Sequence, residues 1–113
     1  MAHVRIIRKM DRNQDDAQVQ LEACNALWDL AVNDANQVTL MAAGVHVRII
    51  RAMDRHQDDA QVQKKACGAL MRLAFNDVNE VTLVAAEAHV RIIRAMDRHQ
   101  DDAQVQEKAV LLL

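Results

Sequence analysis

The chain has 113 residues, about half of them hydrophobic, and a formal net charge of −2. That is enough for one domain with a core, and the near-neutral balance excludes whole-molecule attraction to nucleic acid or to an anionic membrane. The absence of Pro and Tyr, with only two Gly, one Trp and one Phe, disfavours strands and suits helices joined by short polar turns.

Two cysteines, Cys24 and Cys67, are too few for a disulfide framework. No apolar run approaches the length of a transmembrane helix. The opening residues Met1 to Arg5 carry no signal-peptide pattern. A soluble intracellular protein is expected, in the cytoplasm or else the nucleus, with no membrane partner and no cofactor.

Taken along the chain, the dominant signal is self-similarity. His3, His46 and His89 open the segments HVRIIRKMDRNQDDAQVQ, HVRIIRAMDRHQDDAQVQ and HVRIIRAMDRHQDDAQVQ, at a constant offset of 43 residues. Residues 2–44 and 45–87 agree at 30 of 43 positions, and a third copy, 88–113, stops partway. We read 1–113 as a single domain of these three copies. A period in this range marks two- and three-helix solenoids.

Three helices per copy are expected. The first carries Val47, Ile50 and Met53 on one side and Arg48, Arg51 and Arg55 on the other. After a polar turn, Asp58 with Gln61 resembles a capping box opening a long helix, repeated as Asp15/Gln18 and Asp101/Gln104. That helix runs to about Ala74. Asp77 with Glu80, and Asp34 with Gln37, open a short helix by the same logic.

The stretches ACNALWDLAVNDANQVTLMAAG and ACGALMRLAFNDVNEVTLVAAE resemble armadillo repeats, and the resemblance covers essentially the whole chain. It implies an all-α, right-handed armadillo-like solenoid of three-helix, 43-residue repeats. The short helices would be 35–43 and 78–86. The second helices would be 3–12, 46–55 and 89–98, and the third 16–31, 59–74 and 102–113. It also implies a concave groove lined by third helices, where peptide-binding members carry a Trp and, four residues later, an Asn. The matching positions here are Asn25 and Asp29, then Gly68 and Arg72. Neither copy keeps the pair, so the asparagine clamp on peptide backbone is absent. A small residue is expected between short and second helices. Gly44 supplies it once, but Glu87 replaces it in the next copy. Glu87 therefore suggests a differently bent connection, or fusion of 78–86 and 89–98 into one helix.

Chemistry-bearing residues read more simply as structural. Equivalent histidines, His3, His46 and His89, and likewise His56 and His99, would stand about 10 Å apart in stacked helices, too far to share a zinc ion. The same spacing separates Cys24 from Cys67 beyond disulfide reach, so buried reduced thiols are expected. The pairs Asp15/Asp16, Asp58/Asp59 and Asp101/Asp102 have sufficient work as caps. The stripe Arg5, Arg8, Arg12 and its copies is interrupted by Asp11, Asp54 and Asp97 and has no aromatic interleaving. It reads as a solvated face, and nucleic acid as a minor candidate partner. No catalytic or metal site is expected, so the chain reads as no enzyme.

The copies differ chiefly on one face of the long helix. Leu21, Asn25, Trp28, Asp29 and Val32 correspond to Lys64, Gly68, Met71, Arg72 and Phe75. Apolar residues on a varying face point to contact with a protein or peptide, and these positions, Gly68 excepted, are the candidate protein-binding site. A second set, Val4, Ile7 and Met10 with Val110, Leu111, Leu112 and Leu113, marks ends without polar caps. Self-association into a dimer or larger homo-oligomer is expected there. The leading function is a non-enzymatic interaction scaffold. The alternative is a self-assembling, designed or truncated module with a purely structural role.

Overall fold

The computed structural model describes residues 1–110. Among them are eight α-helices and no strand. They are α1 (Ala2–Arg12), α2 (Ala17–Ala31), α3 (Asp34–Ala42), α4 (Val45–Arg55), α5 (Ala60–Leu73), α6 (Asp77–Ala85), α7 (Ala88–Arg98) and α8 (Ala103–Val110). The long helices pack in a row, α2 on α5 and α5 on α8. Helices α1, α4 and α7 form a second row, and α3 touches α6. Leu27, Ile49, Met53, Leu70 and Leu73 are among the fully buried side chains between the rows.

The helix starts correct the expected caps by one residue. Asp16, Asp59 and Asp102 accept backbone N–H bonds at the openings of the long helices, the last two at about two successive amides each. Asp15, Asp58 and Asp101 were expected in that role. A tight turn, in which Asp16 N–H donates to the Asn13 carbonyl, delivers the second aspartate of each pair to the helix start. Asn33 and Asn76 cap the short helices in place of Asp34 and Asp77.

The junction at Glu87 is likewise corrected. Glu87 adopts φ 60°, the left-handed conformation that Gly44 holds at φ 78°, so α6 and α7 are separate helices. The two junctions bend alike because the same rows must pack on both sides. Glu87 bears backbone strain that glycine avoids.

A side-chain amide, buried at Gln20 and Gln63 and half-buried at Gln106, joins each second helix to the long helix after it. The Nε2 of Gln20 donates to the carbonyls of Met10 and Asn13. Gln63 does the same to Met53 and His56, and Gln106 to Met96 and His99. The Met10, Met53 and Met96 carbonyls lie in the last turns of their helices, and the Asn13, His56 and His99 carbonyls just beyond them also accept the N–H of Asp16, Asp59 and Asp102, so each amide ties a helix end to the turn that follows it.

The arginine stripe is a solvated face only in part: Arg5, Arg8, Arg12, Arg55 and Arg98 are exposed, whereas Arg48, Arg51, Arg91 and Arg94 are half-buried. Asp11 accepts from Arg48 at 3.2 and 3.3 Å and from Arg51 at 2.7 Å. Asp54 binds Arg91 and Arg94 in the same way, at 3.1, 3.3 and 2.8 Å. The Arg48 hydrogen bond, with that from Arg51, holds the Asp11 carboxyl below the usual carboxylate range against the opposing effect of burial. Burial pushes the Asp54 carboxyl up, but the Arg91 and Arg94 bonds outweigh it and the net shift is downward. His56 and His99 reach one layer back through Nε2 to the carbonyls of Gln14 and Gln57.

Candidate functional site

The site begins with Gly68. A glycine in mid-helix weakens the helix, yet Gly68 stands inside α5 and is buried. The cause is its neighbour on α2. The Trp28 ring lies against Gly68 so closely that a β-carbon would stand 2.6 Å from its Cε3. Lys65 Nζ sits 5.3 Å from the ring centroid and Lys108 Nζ 4.8 Å, both within cation–π range. Trp28 therefore links α2, α5 and α8 across the face of the long helices.

The expected binding residues divide in this frame. Trp28 is half-buried. Val32 and Phe75, at the C-terminal ends of α2 and α5, are 55% and 59% exposed. Arg72 holds its guanidinium 5.2 Å from the Phe75 centroid, and its Nε is buried without an acceptor among the described residues. Asp29 is exposed, and Leu21 and Asn25 are half-buried. Lys64 donates to Gln104 Oε1 at 2.6 Å. Met71 is the exception: it was expected on the open face and is buried. Its long helix is flanked on both sides, by α2 and by α8, so less of its circumference stays open than periodicity alone suggests.

The self-association set is also corrected in part. Met10 is fully buried, because α1 packs against α2 over it. Val4 and Ile7 are half-buried and Val110 is exposed. Leu111, Leu112 and Leu113 lie outside the described residues.

Lys65 and Lys108 belong to the site although sequence reasoning did not single them out. The signal was present: Glu22 is their counterpart in the first copy, so the charge reverses where the ring needs cations. Cys24 and Cys67 are buried, and burial pushes both thiols up to about 12, with the neighbouring Cys67 adding to the effect at Cys24. Both stay protonated at neutral pH. No group of three or more His, Cys, Asp or Glu among the described residues could hold a metal ion. No described helix is long and apolar enough to cross a membrane.

The family model described as the LRRK2 ARM repeat matches residues 1–113. The chain belongs to this armadillo-repeat family. No curated protein and no solved structure matches it. Armadillo-repeat proteins are helical-repeat interaction scaffolds, and this ARM-repeat chain has the all-helical fold of one. At Gly68, which corresponds to Asn25, it has room that a ring from the preceding long helix fills.

Proposed function

We propose that this ARM-repeat chain is a non-enzymatic protein-interaction scaffold that takes a protein or peptide on the face of its long helices. In this reading residues 1–113 form one right-handed armadillo-like solenoid of three-helix, 43-residue units, and α2, α5 and α8 line its concave side. The observation that carries it is Phe75, a large aromatic side chain 59% exposed beneath a guanidinium. Val32 adds a second exposed apolar position, and Trp28 a half-buried ring between two ammonium groups. A partner suited to this surface offers an apolar anchor beside a carboxylate. The anchor covers Phe75, and the carboxylate meets Lys65, Lys108 or Arg72.

Trp28 is the sole tryptophan, so its emission reports binding on this face directly. A random peptide library is selected on the chain, and the recovered peptides are titrated against wild type and Phe75→Ser. The expected result is apolar-acidic peptides that shift Trp28 emission and bind the variant about tenfold more weakly or worse. Recovered peptides that leave Trp28 emission unchanged and bind Phe75→Ser as well as wild type would place recognition elsewhere.

A further inference from the structure

The long helices α2 and α5 pack side by side, and their open stripes carry opposite charge. On α5 and the turn that ends it the stripe is Lys65, Gly68, Arg72 and Phe75, at intervals of three, four and three residues. The Trp28 ring fills the place over Gly68. Lys65 Nζ stands 5.3 Å from the centroid of that ring, and the Arg72 guanidinium 5.2 Å from the Phe75 centroid. A unit of one cation and one ring thus occurs twice, seven residues apart. On α2 and the residue after it the same four positions are Glu22, Asn25, Asp29 and Val32, so an acid corresponds to each cation. None of these four charged side chains makes an ion pair among the described residues, and Glu22 and Asp29 are exposed.

The opening belongs to the face and not to an end of the row. Val32 has the following layer packed beside its helix, and Phe75 has the preceding one. Both are nevertheless more than half exposed.

The spacing selects the shape of the occupant. Seven helical residues rise about 10.5 Å and return to the same side of the helix. In an extended segment, residues on one side fall about 6.7 or 13 Å apart, out of step with the stripe. A second helix keeps step along its whole length. From this we infer that the valley between α2 and α5 takes an amphipathic helix of a partner protein, with an apolar stripe at heptad spacing, acidic residues along one flank and basic residues along the other. The apolar stripe covers the Trp28 ring, Val32 and Phe75. The acidic flank meets Lys65 and Arg72, and the basic flank meets Glu22 and Asp29. Lys108 reaches the Trp28 ring from α8 at 4.8 Å and adds to the basic side. Charges flanking an apolar seam choose the partner helix and its direction, as they do in a coiled coil. A helix with one sign on both flanks is rejected, because one flank then meets its own charge.

This inference rests on the long-helix face being the binding surface, and three synthetic peptides test it with the whole chain at low salt. Each has about 18 residues, or two and a half heptads, lacks Trp and carries the same apolar stripe. Their flanks are acidic and basic, acidic on both sides, or basic on both sides. Trp28 emission reads the titrations. The acidic–basic peptide is expected to bind at least about tenfold more tightly than the other two and to gain helicity when bound. A proline at a solvent-facing position in its centre should weaken it at least about tenfold. In Glu22→Lys/Asp29→Lys, altered at exposed positions and checked for wild-type helicity by circular dichroism, the preference should pass to the peptide acidic on both sides. Equal binding of the three peptides, an unchanged ranking in that variant, or binding that tolerates the proline would overturn the helix inference and leave the face as a binding surface. No emission change with any of the three would overturn it as well, and the peptides selected from the random library then decide separately whether the face binds at all.

Discussion

The Trp28 ring fills the space over Gly68 in which a β-carbon would stand, with Cε3 at 2.6 Å and Cζ3 at 2.7 Å from that point. Helix α5 accepts a poor helix former at its centre because α2 supplies a large ring. Alanine at this position gains about 1 kcal/mol of helix propensity but forces the ring aside, which costs about 1–3 kcal/mol. Gly68→Ala is therefore expected to lose about 1 kcal/mol net in urea unfolding and to shift Trp28 emission. In Trp28→Leu/Gly68→Ala the two changes should be less than additive, by more than about 0.5 kcal/mol. A Gly68→Ala protein more stable than wild type, with unchanged emission, would show that the ring does not hold the position.

Glu87 is the position to repair. It holds the left-handed conformation that Gly44 adopts freely, and a side chain there costs about 1 kcal/mol. Glu87→Gly should raise stability by about that amount, less a few tenths for the lost pair with Arg91 at 3.6 Å. Gly44→Ala should do the opposite, since the new β-carbon would also stand 2.9 Å from an Arg48 Nη1. Thermal unfolding of the two variants checks both signs. A destabilised Glu87→Gly would mean that the Arg91 contact outweighs the backbone strain.

Stability should fall with acid in two steps. Burial, with the Arg48 charge adding to it, lowers the His46 pKa, and its Nδ1 is buried without a partner among the described residues. Below about 6.5 the unfolded imidazole takes a proton that the folded one resists, so stability declines as pH drops from there until the folded imidazole protonates too. Asp11 and Asp54 carry depressed values. Their contribution is complete above about 3.9 and is lost as pH falls through the folded values. Urea midpoints from pH 8 to 3 should show both limbs. His46→Gln should flatten the upper limb, and Asp54→Asn the lower one while costing about 1 kcal/mol at neutral pH, because the pair is partly exposed. Equal midpoints at pH 7 and 5 for the wild type would exclude the His46 limb.

The buried glutamines predict a larger loss. Gln63→Leu keeps the volume approximately but leaves the Met53 carbonyl without its donor and the His56 carbonyl with only the Asp59 N–H. A loss of about 2 kcal/mol is expected, mostly from the unsatisfied Met53 acceptor. Hydrogen exchange should rise at the end of α4 and the start of α5 in the same variant. A loss below about 0.5 kcal/mol would mean that water replaces the amide at no cost.

Much of this was legible in advance because the copies report on one another. The three occurrences of HVRIIR and DDAQVQ located the starts of the second and long helices to within one residue, since period and caps act locally. What misled was also local. In an Asp-Asp pair either carboxylate can cap, and only the turn before it selects the second. Glu87 looked unfit for a left-handed turn, yet packing on both sides imposes that conformation. Met71 and Trp28 align in the copies, but Met71 is buried and Trp28 half-exposed, because α5 has long helices on both flanks and α2 packs against only one.

The sequence by itself determined the helices, their order and the positions at which successive copies differ, because hydrophobic period, capping residues and repetition are properties of neighbouring residues. The tertiary structure alone decided which charges meet. Asp11 with Arg48 and Asp54 with Arg91 lie 37 residues apart in the chain, and only the stacking of one layer on the next brings each carboxylate and guanidinium within hydrogen-bond distance.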